Sequence, residues 1–241
     1  MSDAYGLLIE HWKEIRLLGS SSAVLGWDQE TMMPPGGVAH RARQLSLLSM
    51  LRHERVTDPR VGTWLAEAEG REDLAQDIRA ATNLRQIRRD YDKATKLPAS
   101  LVKEFSETTS KAKHEWAEAR KVDDFKRFEP WLEKIIDLNR QRAECFGYES
   151  EAWDGLADDY EPGCTAAQVA EVFGPLREQL VELVGRLTGS DRQPSNRLNE
   201  IKLPESQQEK FVREVVEQFG FDFRRGRLDR STHPFCSATC R

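Results

Sequence analysis

Histidine is the residue type best suited to metal or acid–base chemistry near neutral pH. This chain has five: His11, His40, His53, His114 and His233. A helical zinc hydrolase needs H-E-x-x-H, in which two histidines four apart share a helix face and the glutamate takes a proton from the attacking water. At His53-Glu54, Thr57 stands where the second histidine would be, and the 241 residues lack the motif. His233, Cys236 and Cys240 lie close together near the end of the chain. Structural zinc usually takes four ligands in two pairs, and no second pair is near, so the trio reads as a tail with reduced thiols.

Other constellations are weaker still. Ser231 lies two residues before His233, with no glycine elbow around it. Gly19-Ser20-Ser21-Ser22 has too few glycines for a phosphate cradle and lacks its lysine. Asp158, Asp159 and Glu161 lack the alternating oxygen ligands of a calcium loop. Each of these reads as a turn or a cap.

The elements that would position such groups are helices. Leu101, Phe105, Thr108, Ala112, Trp116 and Ala119 recur at steps of three or four after Pro98, which predicts a long amphipathic helix. Residues 73–95 form a second helix, and the short Lys96-Leu97-Pro98 link predicts that the two pack side by side. A third helix starts near Pro130 and stops at Gly147. Thr165 and Gln168 spell a capping box ahead of a broad apolar face from Val169 to Leu187, with a kink or restart expected at Gly174-Pro175. Residues 190–196 form a loop, and a last helix runs from Pro204 to Phe219. Alternation in Phe221-Asp222-Phe223, a turn at Gly226 and an extended 228–233 segment predict a small β hairpin.

Composition agrees with this picture. Charged residues reach 32% against a usual figure of about 25%, and apolar residues only 39%. That balance suits helices that bury one stripe and leave a wide face in water. The net charge of -5 gives no reason to expect a nucleic-acid partner, and the basic run Arg85 to Arg89 has Asp77, Asp90 and Asp92 close by, so it reads as a solvated helix face. No segment approaches the roughly 18 apolar residues that span a bilayer. The start of the chain lacks a secretory pattern, and four unevenly placed cysteines do not form a disulfide framework. A cytoplasmic location follows as the expectation.

Several segments, taken in order, resemble the carboxypeptidase Taq family of metallocarboxypeptidases. They begin with Leu25-Gly26-Trp27-Asp28-Gln29-Glu30-Thr31-Met32-Met33-Pro34-Pro35-Gly36-Gly37, followed by Arg41, Arg43, Gln44 and Leu45. Trp116 to Arg120, Asp124-Phe125, Phe128, Pro130, Gly147-Tyr148 and Asp159 to Thr165 continue the likeness. Gly220 to Phe223, Gly226 to Asp229 and Ser231-Thr232-His233-Pro234-Phe235 complete it. The resemblance implies a mainly α, groove-type peptidase fold with a small β element, and a homodimer. It also implies removal of C-terminal residues from peptide substrates, with a divalent metal (zinc or cobalt) held by H-E-x-x-H and a later glutamate.

In that family the metal-binding residues follow the His-Pro-Phe motif, whereas this sequence ends six residues after Phe235. The expectation is therefore that residues 1–241 form the helical N-terminal part of such an enzyme, truncated and inactive alone, with no catalytic residue and no metal ligand of its own. Only His233, Pro234 and Phe235 carry over, as substrate-binding groove residues. The rival expectation is a non-enzymatic helical interaction or dimerisation protein derived from the family.

Overall fold

The structure is a computed structural model that describes residues 3–237. Ten α-helices follow one another among these residues: α1 (Ala4–Thr31), α2 (Val38–Val56), α3 (Pro59–Glu69), α4 (Glu72–Gln76), α5 (Ile78–Thr95), α6 (Ala99–Lys121), α7 (Phe125–Phe146), α8 (Ala152–Ala157), α9 (Ala166–Thr188) and α10 (Glu205–Gln218). Helix starts are marked by side chains that satisfy orphan backbone donors. Asp3 accepts from the N–H of Gly6 at 2.7 Å, Asp58 from Arg60 at 2.9 Å and Asp124 from Arg127 at 3.2 Å.

The chain divides into two units: Met1–Cys164 with Ser231–Arg241, and Thr165–Arg230. In the first unit, α1 lies along α2 and α3, α6 along α2 and α7, and α8 against α7. Leu8 of α1, Val61 and Leu65 of α3 and Leu84 and Ile87 of α5 close one core cluster, with Trp12, Trp64 and Tyr91 packed around it. Fully burying an aliphatic side chain of this size is worth about 1.5–3 kcal/mol. His11 is also buried there; its Nε2–H donates to the Arg55 carbonyl at 2.8 Å, and its ring meets Trp64 edge-on. It is a satisfied structural histidine.

The expected helix over 73–95 is two helices. Asp77 is extended (φ -82°, ψ 110°), ends α4 and starts α5, its carboxylate accepting from Arg79 and Ala80. A short polar side chain that takes the orphan N–H groups of the next helix competes with continued helix here. Nor do α5 and α6 form the expected close hairpin: the main neighbours of α6 are α2 and α7, while α5 lies on α3, α4 and α2. Leu97 precedes proline and so leaves the helical region. The small side chains of α6, Ser110, Ala112 and Ala119, are buried.

In the second unit, the Thr165 capping box is present: Gln168 N–H donates to Thr165 Oγ1 at 3.3 Å, and Thr165 N–H to Gln168 Oε1 at 3.0 Å. Of the kink or restart expected at Gly174-Pro175, the restart does not occur, since α9 is one helix that carries Pro175 inside it. The predicted β hairpin is also absent, and no strand occurs among the described residues. Asp222 instead folds its segment into a turn, its carbonyl accepting from Arg225 and Gly226 and its carboxylate from the Arg224 N–H. The alternating Phe221 and Phe223 meet each other at 4.8 Å between ring centroids rather than facing a partner strand. Gly226 permits this turn, because a Cβ there would lie 2.4 Å from the Phe221 ring.

Candidate functional site

The chain returns to the first unit at Ser231 and brings His233 beside α6. The His233 ring meets Trp116 edge-on, with centroids 6.0 Å apart, and the Arg120 guanidinium lies 5.4 Å from the Trp116 ring centroid. Ser231 Oγ donates to the His233 carbonyl at 2.7 Å, which bends the segment locally. His233 Nδ1 lies 2.9 Å from the Pro234 carbonyl oxygen. A carbonyl only accepts, so Nδ1 carries a proton, and Nε2 is the ring nitrogen left for another partner. His233, Pro234 and Phe235 are all exposed, Phe235 at 42%. The segment thus presents a polar ring nitrogen and an aromatic side chain to solvent, a combination suited to contacting a ligand.

The Leu25 to Gly37 segment forms a corner. The Asp28 carbonyl accepts from both Met32 at 2.9 Å and Met33 at 2.8 Å, which ends α1. Arg41 reaches back from α2 to the Leu25 carbonyl and the Asp28 carboxylate, and the Arg41 side chain is only 11% exposed. Gln29 and Ser110 exchange two hydrogen bonds, tying α1 to α6. Glu30 Oε1 is buried, with Lys113 Nζ at 2.9 Å. That distance gives ionic attraction, although the alignment falls short of a hydrogen bond, so we regard the pair as electrostatic. These residues hold helices together and bring no reactive group to an open surface.

The acidic pair Asp158-Asp159 is neutralised. Lys93 lies 2.9 Å from Asp158 and 2.6 Å from Asp159, Arg89 pairs with Asp158, and Arg142 pairs with Asp159. The Lys93 ammonium holds the Asp158 carboxyl down at about 2, helped by the Gly163 N–H and Arg89. This arrangement is a structural tie between α5, α7 and the segment after α8. It also absorbs part of the basic run: Arg88 pairs with Glu69 and Asp92, so Arg88 and Arg89 serve cross-helix contacts rather than a purely solvated face. Gly19 to Ser22 lies inside α1 rather than in a turn or cap, with Ser20, Ser21 and Ser22 donating to Leu17 or Leu18 carbonyls.

Cys240 of the proposed His–Cys trio lies outside the described residues. Among the described residues no three His, Cys, Asp or Glu side chains converge as a metal would need. What the motifs did not reveal is the set of charges on the inner faces of α1, α2 and α5: Arg16, Arg52 and Asp90, which line a common cavity with Trp12 and Phe105. Single residues far apart in sequence gave no signal for it.

Long helices are clamped at the Asp28–Arg41 corner, and His233 lies against Trp116 of α6 in a mainly helical fold. The chain belongs to the carboxypeptidase Taq (M32) metallopeptidase family, whose family model matches residues 7–241. It is similar to thermostable carboxypeptidase 1 of Thermus thermophilus, 38% identical over 243 residues, which cover 96% of this chain and 48% of that protein. Thermostable carboxypeptidase 1 of Pyrococcus furiosus is 35% identical over 230 residues, covering 95% of this chain and 46% of that one. Among solved structures, the M32 carboxypeptidase of Deinococcus radiodurans is 38% identical with a TM-score of 0.78, covering 98% of this chain and 47% of its own. The P. furiosus carboxypeptidase structure gives 33% and 0.82, with 99% and 48% covered. The chain spans about half the length of the curated relatives it matches.

Proposed function

We propose that these residues form the helical N-terminal part of a metallocarboxypeptidase that removes C-terminal residues from peptides. The observation that carries the reading is the collinear family match over 7–241 together with the exposed His233-Pro234-Phe235 segment. In this reading a divalent metal, zinc or cobalt, supplies the Lewis acid and activates water, held by residues other than those described. His233 contacts the peptide through Nε2, Pro234 orients that ring through its carbonyl, and Phe235 offers an apolar contact. The 241 residues have no H-E-x-x-H and so release no amino acid alone.

A chimera tests this. This chain, joined to the unmatched half of the T. thermophilus relative, should release C-terminal amino acids from peptides, and His233→Ala should cut kcat/KM at least tenfold. A folded, metal-loaded chimera without turnover would overturn the proposal, as would metal-dependent turnover by the 241 residues alone.

A second reading, a helical interaction or dimerisation protein, is favoured by α9. No residue of this 23-residue helix is buried, and Phe173, Leu180, Val184 and Leu187 are exposed. Apolar rows of this extent tend to be covered by a partner.

A further inference from the structure

Helix α9 carries an apolar stripe left open to solvent. No residue of α9 is buried, and none of α10 in the same unit is either. Helices in proteins draw most of their stability from packing an apolar face, so a 23-residue helix with an open stripe calls for a partner.

The order of the apolar residues says which partner fits. Leu176 and Leu180 stand two residues either side of Glu178, Phe173 and Leu183 five, and Val172 and Val184 six. All six are 43–63% exposed. At about 3.6 residues per turn they fall within roughly 120° of arc, and Glu178 lies on the far side of the helix.

A stripe spaced alike in both directions can meet its own copy turned end for end. In a two-fold pair, the contact of one residue with a second is repeated as the second with the first. Centred on Glu178, Leu176 of one copy meets Leu180 of the other, Phe173 meets Leu183, and Val172 meets Val184. A parallel pair would set each residue against itself and align the two helix dipoles, which the antiparallel pair opposes. The flanking Arg177 and Gln179 are exposed and long enough to keep their polar ends in water. Six side chains exposed to this degree on each copy leave on the order of 1,100 Å² to cover, against the roughly 1,000 Å² that a specific interface needs.

We infer that the partner of α9 is α9 of a second copy of this chain, antiparallel, with the two-fold axis at Glu178. The inference rests on the dimerisation reading above and adds the orientation and register of the pair.

Light scattering of the 241-residue protein should show a concentration-dependent dimer of the 27.7 kDa chain. Leu176→Glu and Leu180→Lys should each give monomer, since burying an unpaired charge is costly. Mixed in equal amounts, the two variants should dimerise again, at least tenfold more tightly than either alone. Only the antiparallel register sets the introduced carboxylate against the introduced ammonium. Glu178→Lys, on the far side of the helix, should leave the dimer intact. Circular dichroism checks that every variant is folded. A dimeric parent protein whose mixed variants stay apart would overturn the register and leave dimerisation standing. Loss of the dimer in Glu178→Lys would overturn the choice of face. A monomeric parent protein would overturn both the inference and the dimerisation reading.

Discussion

His233 rests edge-on against Trp116 of α6 at 6.0 Å between ring centroids, while its Nδ1–H is tied to Pro234. The two contacts fix the ring plane and leave Nε2 as its open nitrogen. Residues 117 positions apart are brought together in this way.

Replacing Trp116 by alanine should therefore move the His233 ring proton resonances in NMR spectra and leave those of His11, which meets Trp64, unchanged. An edge-to-face aromatic pair contributes about 0.5–1.5 kcal/mol beyond area burial, and the loss of stability should stay within that order. Unmoved His233 resonances would mean that the ring does not sit on Trp116 in solution.

The Asp158 pair makes stability depend on pH in a stated direction. Its carboxyl titrates at about 2 in the folded protein against 3.8 ordinarily. A depressed carboxyl stabilises the fold above the unfolded value and loses that contribution as pH falls from about 4 through about 2. Asp158→Asn should consequently cost stability at pH 7, and the gap to the parent protein in urea melts should close between pH 4 and 2.

Asp90 has the opposite sign. Its raised carboxyl means that the ionised form strains the fold, so stability from this group is full below the unfolded value and declines as pH rises through the folded one. Asp90→Asn should stabilise the protein at pH 7 and become neutral below about pH 4. Thermal melts at the two pH values check this.

Leu65→Ala should cost about 2–5 kcal/mol, because Leu65 is completely buried in the cluster around Leu8 and Leu84 and leaves a cavity behind. Val181→Ala on α9, at 66% exposure, should stay within about 0.5 kcal/mol. Urea denaturation of the two variants gives the comparison.

Light scattering should find species larger than the 27.7 kDa chain if α9 seeks cover. Leu180→Glu with Val184→Glu, both on exposed positions, should return the protein to monomer without unfolding it. A monomeric parent protein would count against the dimerisation reading.

Much of the helical framework was legible from residues alone. The face through Leu101, Thr108, Ala112 and Ala119 repeats at helical spacing, and Thr165 with Gln168 caps a helix by contacts three residues apart. Such signals are local, so a linear reading captures them. Phe221-Asp222-Phe223 misled for the same reason: alternation implies a strand only when a partner strand is near, and here Asp222 closes a turn instead. The break at Asp77 was hidden because apolar spacing continues across it.

By itself, then, the order of residues determined the helical class, the Thr165 capping box, the absence of H-E-x-x-H and the likeness that the family match bears out, although α7 starts at Phe125 and not near Pro130. It also marked His233, Pro234 and Phe235. Tertiary structure alone decided that α6 lies on α2 and α7 rather than along α5, that Asp158 is neutralised from α5, and that Trp116 backs His233. It also placed Arg16, Arg52 and Asp90 around one cavity. Contacts between distant residues depend on how helix faces pack, and packing sums many small apolar contacts that no short stretch of sequence contains.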